Sequence, residues 1–538
     1  MLLTEYKMNE HWRYLAILIV LASLISTSSW ILSGKFAHPI SDMSDLSNTY
    51  PLQLMINDPS LFSKDQPLQV MSELYPPLLN LLMAKLILIT GDFMVVHVLL
   101  SLTLFIIFIS GLYVLGYKIT GKRRVGFIYA LSFVLSSKAL WISTGVSIGS
   151  LGAGPFAIAF IPFIILYFME NHGDYRKILA LSFVMGLFAN IHAYVMGFLF
   201  LILLLTRMTM NRFSIRSIYR GAASSAVFFI GAFFILIFYM KNAMLLGFSS
   251  TAPELVEMFT LRVNYFFPSI FHVGEMIIIM SPILLLAFLG FHIKRKTDYR
   301  AYDKIMACIF IFSIFIMVSG IIISRFVPQL IQMSFYRVGG YIWYVLLLYP
   351  AYLADYLLGS RENIKKVLGL VVIFLIILPT SQILAGFIHS WGREAYYQSR
   401  GIDISRLDEI SVDTKENWDA FYELAEWAER NTPKDALFMI PPRGLSHFRV
   451  YSKRSILISQ KSLFPFAGNL SVKQYHTLQE ITELYMKNST SEFLETAEKY
   501  DVDYIIVNRV NNRLTLLVVF ENEDYIIYSC KKNEGNAD

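Results

Sequence analysis

Hydrophobic positions in this chain fall into long runs separated by short charged loops. A bilayer core needs about 20 apolar residues per helix. Runs of that kind occupy 14–32, 94–117, 125–143, 151–169, 218–240, 275–293, 305–324, 339–358 and 367–388. The run 178–206 is too long for one simple span, and it reads as two short helices, 178–190 and 193–206, broken at Asn190-Ile191-His192. One polar interval breaks the rhythm. Residues 33–77, rich in Asp, Ser and Pro, separate the first run from the next apolar piece at 78–90. Neighbouring helices are usually joined by a handful of residues, so an interval this long is no simple turn and must face water on one side of the bilayer. Its exit, Tyr75-Pro76-Pro77, predicts a fixed entry into a helix, because proline suits a first helical turn.

After about residue 389 the pattern changes to that of a soluble domain. Segment 416–431 has apolar residues at helical spacing, and Thr432-Pro433 stops it. Strands are predicted at 436–440, 455–459 and 504–507, helices at 473–487 and 491–500, and a closing strand pair at 514–520 and 525–529. Strands mixed with helices predict a small α/β domain.

Composition agrees with a membrane assignment. Of the 538 residues 16% are charged, against roughly a quarter in soluble domains, and mean hydropathy is +0.53. The net charge of +6 does not point to nucleic acid, because Lys and Arg gather in the short loops between apolar runs. That distribution is the positive-inside pattern. With those basic clusters in the cytoplasm, together with Lys7 and Arg13, the chain crosses about eleven times. The N-terminus is then inside, the C-terminus outside, and piece 76–91 is re-entrant or interfacial. The expectation is an α-helical polytopic plasma-membrane protein, with 1–388 as the membrane domain and 389–538 as an extracytoplasmic α/β domain. The first apolar run lacks a small-residue cleavage site and reads as an uncleaved anchor. Cys308 and Cys530 are too few for a disulfide framework or a Cys-based zinc site.

Candidate chemistry concentrates in the polar interval and the outer loops. Asp42 and Asp45, three residues apart, share a face if their segment is helical. They can serve as a general base or help hold a divalent cation through hard oxygen ligands, or they can simply cap turns. Asp58 and Asp65 read as turn and cap residues. Lys85 is a charge inside an apolar helix, which calls either for an anionic partner or for snorkelling to the interface. Arg325 and Arg337 lie on the side that the positive-inside rule depletes of basic residues, and guanidinium forks match phosphate oxygens. Arg325 also fits a helix end, so Arg337, followed by Gly339-Gly340, is the stronger phosphate candidate. His192, at the break between two short helices, is either a polar pocket residue or a satisfied buried histidine. Arg449, Lys453, Arg454 and Lys461 form a basic group that either binds an anion or is solvated surface.

The order of parts resembles the GT-C class of membrane glycosyltransferases. The likeness rests on a first helix, a long outer loop with Asp42 and Asp45 near its start, the Tyr75-Pro76-Pro77-Leu78 entry, further helices and an outer C-terminal domain. The C-terminal stretch EWAERNTPKDALFMIPP…FRVYSKRSILISQK is similar to the tails of uncharacterised bacterial membrane proteins grouped with that class. The resemblance implies transfer of a sugar from a polyprenyl-phosphate-linked donor to an envelope glycan, lipid or protein acceptor. It assigns Asp42 or Asp45 as base, with inversion at the anomeric carbon, and puts the donor phosphate near Arg337 or Lys85. The chain departs from the class at 144–150, TGVSIGS, where many relatives carry a second acidic motif. The alternative is a non-catalytic membrane protein that binds or presents an envelope glycan or its lipid carrier.

Overall fold

The computed structural model describes residues 2–32, 46–74, 77–136, 153–246, 270–298, 300–327, 335–377, 417–462, 469–509 and 514–530. The chain forms two compact units. One comprises Met1–Ala37, Phe93–Ile237 and Tyr265–Tyr396; the other comprises His38–Asp92, Phe238–Asn264 and Tyr397–Asp538. The polar interval is therefore grouped with the C-terminal residues, although some 300 positions separate them.

The first unit is helical. Among the described residues five helices are long and apolar enough to cross a membrane: Phe93–Thr120, Ala153–Asn171, Ala193–Met210, Ala301–Ile323 and Gly339–Leu358. The expected eleven crossings are thus not reached. The run 218–240 is not one helix: it breaks at Ala232 into Ile215–Gly231 and Phe233–Leu246. Tyr175–Ala189, with 15 residues, extends only about 22 Å at 1.5 Å per residue, short of a core of roughly 30 Å. Runs 125–143 and 367–388 leave the described residues after Ser136 and Ile377. The runs 14–32 and 275–293 are helical, within Leu2–Leu32 and Ile270–Thr297, without adding to the five.

The break at 190–192 is present, and it has a second role. Asn190 ends helix Tyr175–Ala189 and donates through Nδ2 to the Gly231 carbonyl at 2.8 Å. Its Oδ1 accepts the Ile235 amide at 2.8 Å. One side chain therefore satisfies backbone groups on both sides of the Ala232 break, which would otherwise be orphaned in an apolar setting. The two helices meet there through glycine. A Cβ on Gly186 would fall inside van der Waals contact with the Phe228 carbonyl, and one on Gly231 would do the same to that of Phe183. Small residues let membrane helices approach this closely. Gly186→Ala is expected to pry the pair apart and destabilise the unit by about 1–3 kcal/mol, the usual cost of overpacking. Thermal unfolding of the detergent-solubilised chain checks this, and an unchanged midpoint would contradict the packing.

Elsewhere, Tyr129 donates its hydroxyl to the Tyr344 carbonyl at 2.9 Å, tying helix Arg123–Ser136 to Gly339–Leu346. Lys294 and Asp303, both buried and 2.5 Å apart, join Ile270–Thr297 to the next helix. Asp303 also accepts the Arg300 amide and the Tyr349 hydroxyl, so the buried charges are hydrogen-bonded as well as paired.

The second unit carries a five-stranded sheet with β1 at Leu437–Met439, β2 at Ser455–Ile456, β3 at Tyr504–Asn508, β4 at Leu517–Glu521 and β5 at Tyr525–Ser529. The strand order is β2-β1-β3-β5-β4. The β1 pairings are parallel and those of β5 antiparallel, so the predicted closing pair is a true hairpin. Helix Trp418–Asn431 covers the sheet. Its buried Ala420, Phe421, Leu424, Ala425 and Ala428 make one stripe at helical spacing. Asn417 caps its start by accepting the Ala420 amide at 3.1 Å. The same unit contains helices Leu46–Asn57, Gln66–Leu74 and Pro77–Thr90 from the polar interval and its exit. The axes of the last two differ by 113°, the bend of a broken span or a re-entrant loop.

Candidate functional site

In the first unit two of the residues singled out by sequence come together. His192 caps helix Ala193–Met210, its Nδ1 facing the Val195 amide at 3.3 Å. Arg337 lies in the 3-10 turn Phe335–Val338, and its Nη1 is 3.2 Å from His192 Nε2. Phe335 packs on Phe198, with ring centroids 5.4 Å apart. Tyr341 donates its hydroxyl to the Val195 carbonyl, which pins the turn to the head of the helix. Gly154, at the start of helix Ala153–Ala159, flanks the imidazole: a Cβ there would lie 3.6 Å from His192 Cδ2. A neutral imidazole has one lone pair, so the ring accepts either the Val195 amide at Nδ1 or Arg337 at Nε2.

The other predicted site residues are placed differently. Asp42 and Asp45 lie outside the described residues. Arg325 stands in the last turn of Ala301–Phe326, with its side chain outside the described set. Lys85 is exposed on helix Pro77–Thr90, in the second unit, and pairs with no acid among the described residues. Among the described residues no group of three or more His, Cys, Asp or Glu could hold a metal ion.

The second unit holds a polar centre that sequence reasoning missed. Asp58 and Asp65 are turn and cap residues, as expected. Asp58 Oδ1 accepts the Ser60 amide at 3.1 Å, and Asp65 Oδ1 accepts the Leu68 amide at 2.9 Å. Asp65 does more. Its Oδ2 accepts the Ile456 amide of β2 at 3.2 Å, and its Oδ1 lies 3.5 Å from Arg449 Nη1. Both side chains are fully buried. Burial pushes the Asp65 carboxyl above its ordinary value, while the Arg449 charge and the two amides pull the other way. Arg449 donates through Nη2 to Ser462 Oγ, but its Nε and Nη1 have no hydrogen-bond partner among the described residues. Around this centre Lys64 pairs with Asp501 at 2.9 Å and Asp503 at 3.4 Å, and Lys434 with Asp58 at 3.6 Å.

The basic group around Arg449 is therefore not solvated surface. Arg454 is buried too, donating to the Thr432 carbonyl at 2.7 Å, to Thr432 Oγ1 at 3.0 Å and to the Glu429 carbonyl. It closes the end of helix Trp418–Asn431, whereas Lys453, paired with Glu429 at 2.7 Å, keeps a partly exposed charge; the Lys461 side chain lies outside the described set. The available signal was local: Arg449 sits between Phe448 and Val450 in a short buried helix.

A family model described as a domain of unknown function, DUF6798, matches residues 419–478. The matched segment runs from helix Trp418–Asn431 through β1, Arg449, Arg454 and β2 into helix Asn469–Lys487. No curated protein matches the chain.

Proposed function

We propose that this chain is a membrane glycosyltransferase that moves a sugar from a polyprenyl-phosphate-linked donor to an envelope glycan, lipid or protein acceptor on the extracytoplasmic face. The observation that carries the proposal is the approach of Arg337 to His192 at the head of an apolar span. A guanidinium there suits a lipid-linked phosphate, whose chain lies in the bilayer while its charge stays at the boundary. The acceptor hydroxyl oxygen attacks the anomeric carbon in line, and the bond from that carbon to the donor phosphate oxygen breaks. The polyprenyl phosphate leaves with the electron pair, Arg337 stabilises its charge, and a carboxylate takes the hydroxyl proton. Asp42 or Asp45 is that carboxylate. Asp58 and Asp65, from the same interval, are engaged in a turn and a buried pair.

The second reading, a non-catalytic protein that binds or presents the lipid carrier, is favoured by the lack of an acidic residue at 144–150. Incubating the purified full chain in nanodiscs with a polyprenyl-phosphate-linked sugar and a glycan acceptor separates the two. Turnover supports the enzyme; saturable donor binding without turnover supports the carrier. In either case Arg337→Ala is expected to weaken donor binding by roughly 10- to 100-fold, the worth of a hydrogen bond to a charged group, with partial recovery in Arg337→Lys. Unchanged affinity would remove Arg337 from the site.

A further inference from the structure

We infer that the first unit holds an anionic phospholipid headgroup between Arg207 and Arg220, a site separate from the one built on Arg337. Two guanidinium carbons approach the same ring: Arg207 Cζ lies 5.4 Å and Arg220 Cζ 5.1 Å from the Tyr175 centroid. Arg207 is 4% exposed, and its Nη1 has no hydrogen-bond partner among the described residues. Its Nε donates to the His172 carbonyl at 3.3 Å, which fixes the guanidinium at the junction of three helices. A buried cationic donor without an acceptor is costly, and a second arginine beside it adds repulsion. Among the described residues no carboxylate pairs with either arginine. Asp174 spends Oδ1 on the Arg176 and Lys177 amides, and Glu170 pairs with Lys118 at 2.9 Å. A phosphate oxygen would accept from Nη1, and its negative charge would offset the repulsion between the two guanidinium groups.

The surroundings identify the source as lipid. Beside Arg220, in the turn and first part of helix Ile215–Gly231, Phe213, Ile215, Ile218 and Tyr219 are all more than half exposed, interleaved with exposed Arg212 and Arg216. Exposed aromatic and branched side chains alternating with arginines at the end of an apolar helix are the composition of a membrane boundary, where apolar groups enter the acyl region and cations meet headgroups. Basic pockets between membrane helices bind anionic lipid in this way.

The test is native mass spectrometry of the full-length chain after exchange from nanodiscs containing equal phosphatidylglycerol and phosphatidylcholine. The wild-type chain is expected to retain phosphatidylglycerol preferentially. Arg220→Gln, on a half-buried helix surface, should lower that preference by about fivefold, the contribution of one basic residue at a charged lipid surface. Arg207→Gln should do the same or more; because Arg207 also caps a helix end, Arg220→Gln carries the test if that variant does not fold. Arg176→Gln, an exposed cation on the adjoining turn, should leave the preference intact. Equal retention of the two lipids, an undiminished preference in Arg220→Gln, or an equal loss in Arg176→Gln would overturn the site. So would displacement of the lipid by millimolar inorganic phosphate, because the ligand would then be a free anion.

Discussion

Replacing Arg449 with methionine destabilises the second unit by about 3–5 kcal/mol, the cost of leaving one member of a buried ion pair without the other. Asp65 and Arg449 are both inaccessible to solvent, and Asp65 also holds the Leu68 and Ile456 amides. Hydrogen exchange of peptides containing those amides, in the full chain, reads the loss locally and does not depend on how the membrane helices unfold. The loss depends on pH. Burial already holds the Asp65 carboxyl above its unfolded value against the pull of Arg449, and without that charge it rises further. The folded state then keeps a proton that the unfolded state releases, so the variant is most stable below the unfolded value and loses stability as pH rises through the folded one. Arg449→Met should therefore show a steeper loss of protection than wild type between mildly acidic and neutral pH. Adding Asp65→Asn should flatten that slope and recover much of the stability, since a neutral pair costs less than a lone charge. Unaltered exchange in Arg449→Met would mean that the pair does not hold the unit together.

The same pair marks where sequence reasoning ran out. Periodicity and caps placed helix Trp418–Asn431, the strands of the C-terminal domain and the Asn190-to-His192 break within a few residues, because those signals are local. The contact between Asp65 and Ile456 spans 391 positions, and no period or turn rule reports it. Charge was read by composition, which makes an arginine near Lys453 and Lys461 look solvated, whereas Arg449 is the largest fully buried side chain among the described residues. The crossing count failed for another local reason. Hydropathy sees an apolar run but not a break such as Ala232, whose backbone groups are satisfied by Asn190 from a different helix. Arg337 and His192 were each legible as polar residues out of place, but their meeting across 145 positions belongs to the packing of two helices.

The double substitution Asp42→Asn, Asp45→Asn is expected to reduce sugar transfer by about 10²- to 10⁴-fold, the usual contribution of a general base. On the proposed mechanism either carboxylate could take the proton if the other were removed, so the pair must be changed together, and each single variant should retain part of the rate. Asparagine keeps the size and the capping capacity of aspartate, so a role in turn formation alone would survive the change. Donor binding should also survive, because the proposed phosphate site is Arg337 and not the carboxylates. A base variant therefore lowers turnover at saturating donor, whereas Arg337→Ala raises the donor concentration needed. The measurement is initial transfer rate against pH, with donor affinity determined separately on the same preparations. Loss of turnover with affinity retained supports the base. Full activity in the double variant would move the proton acceptor elsewhere.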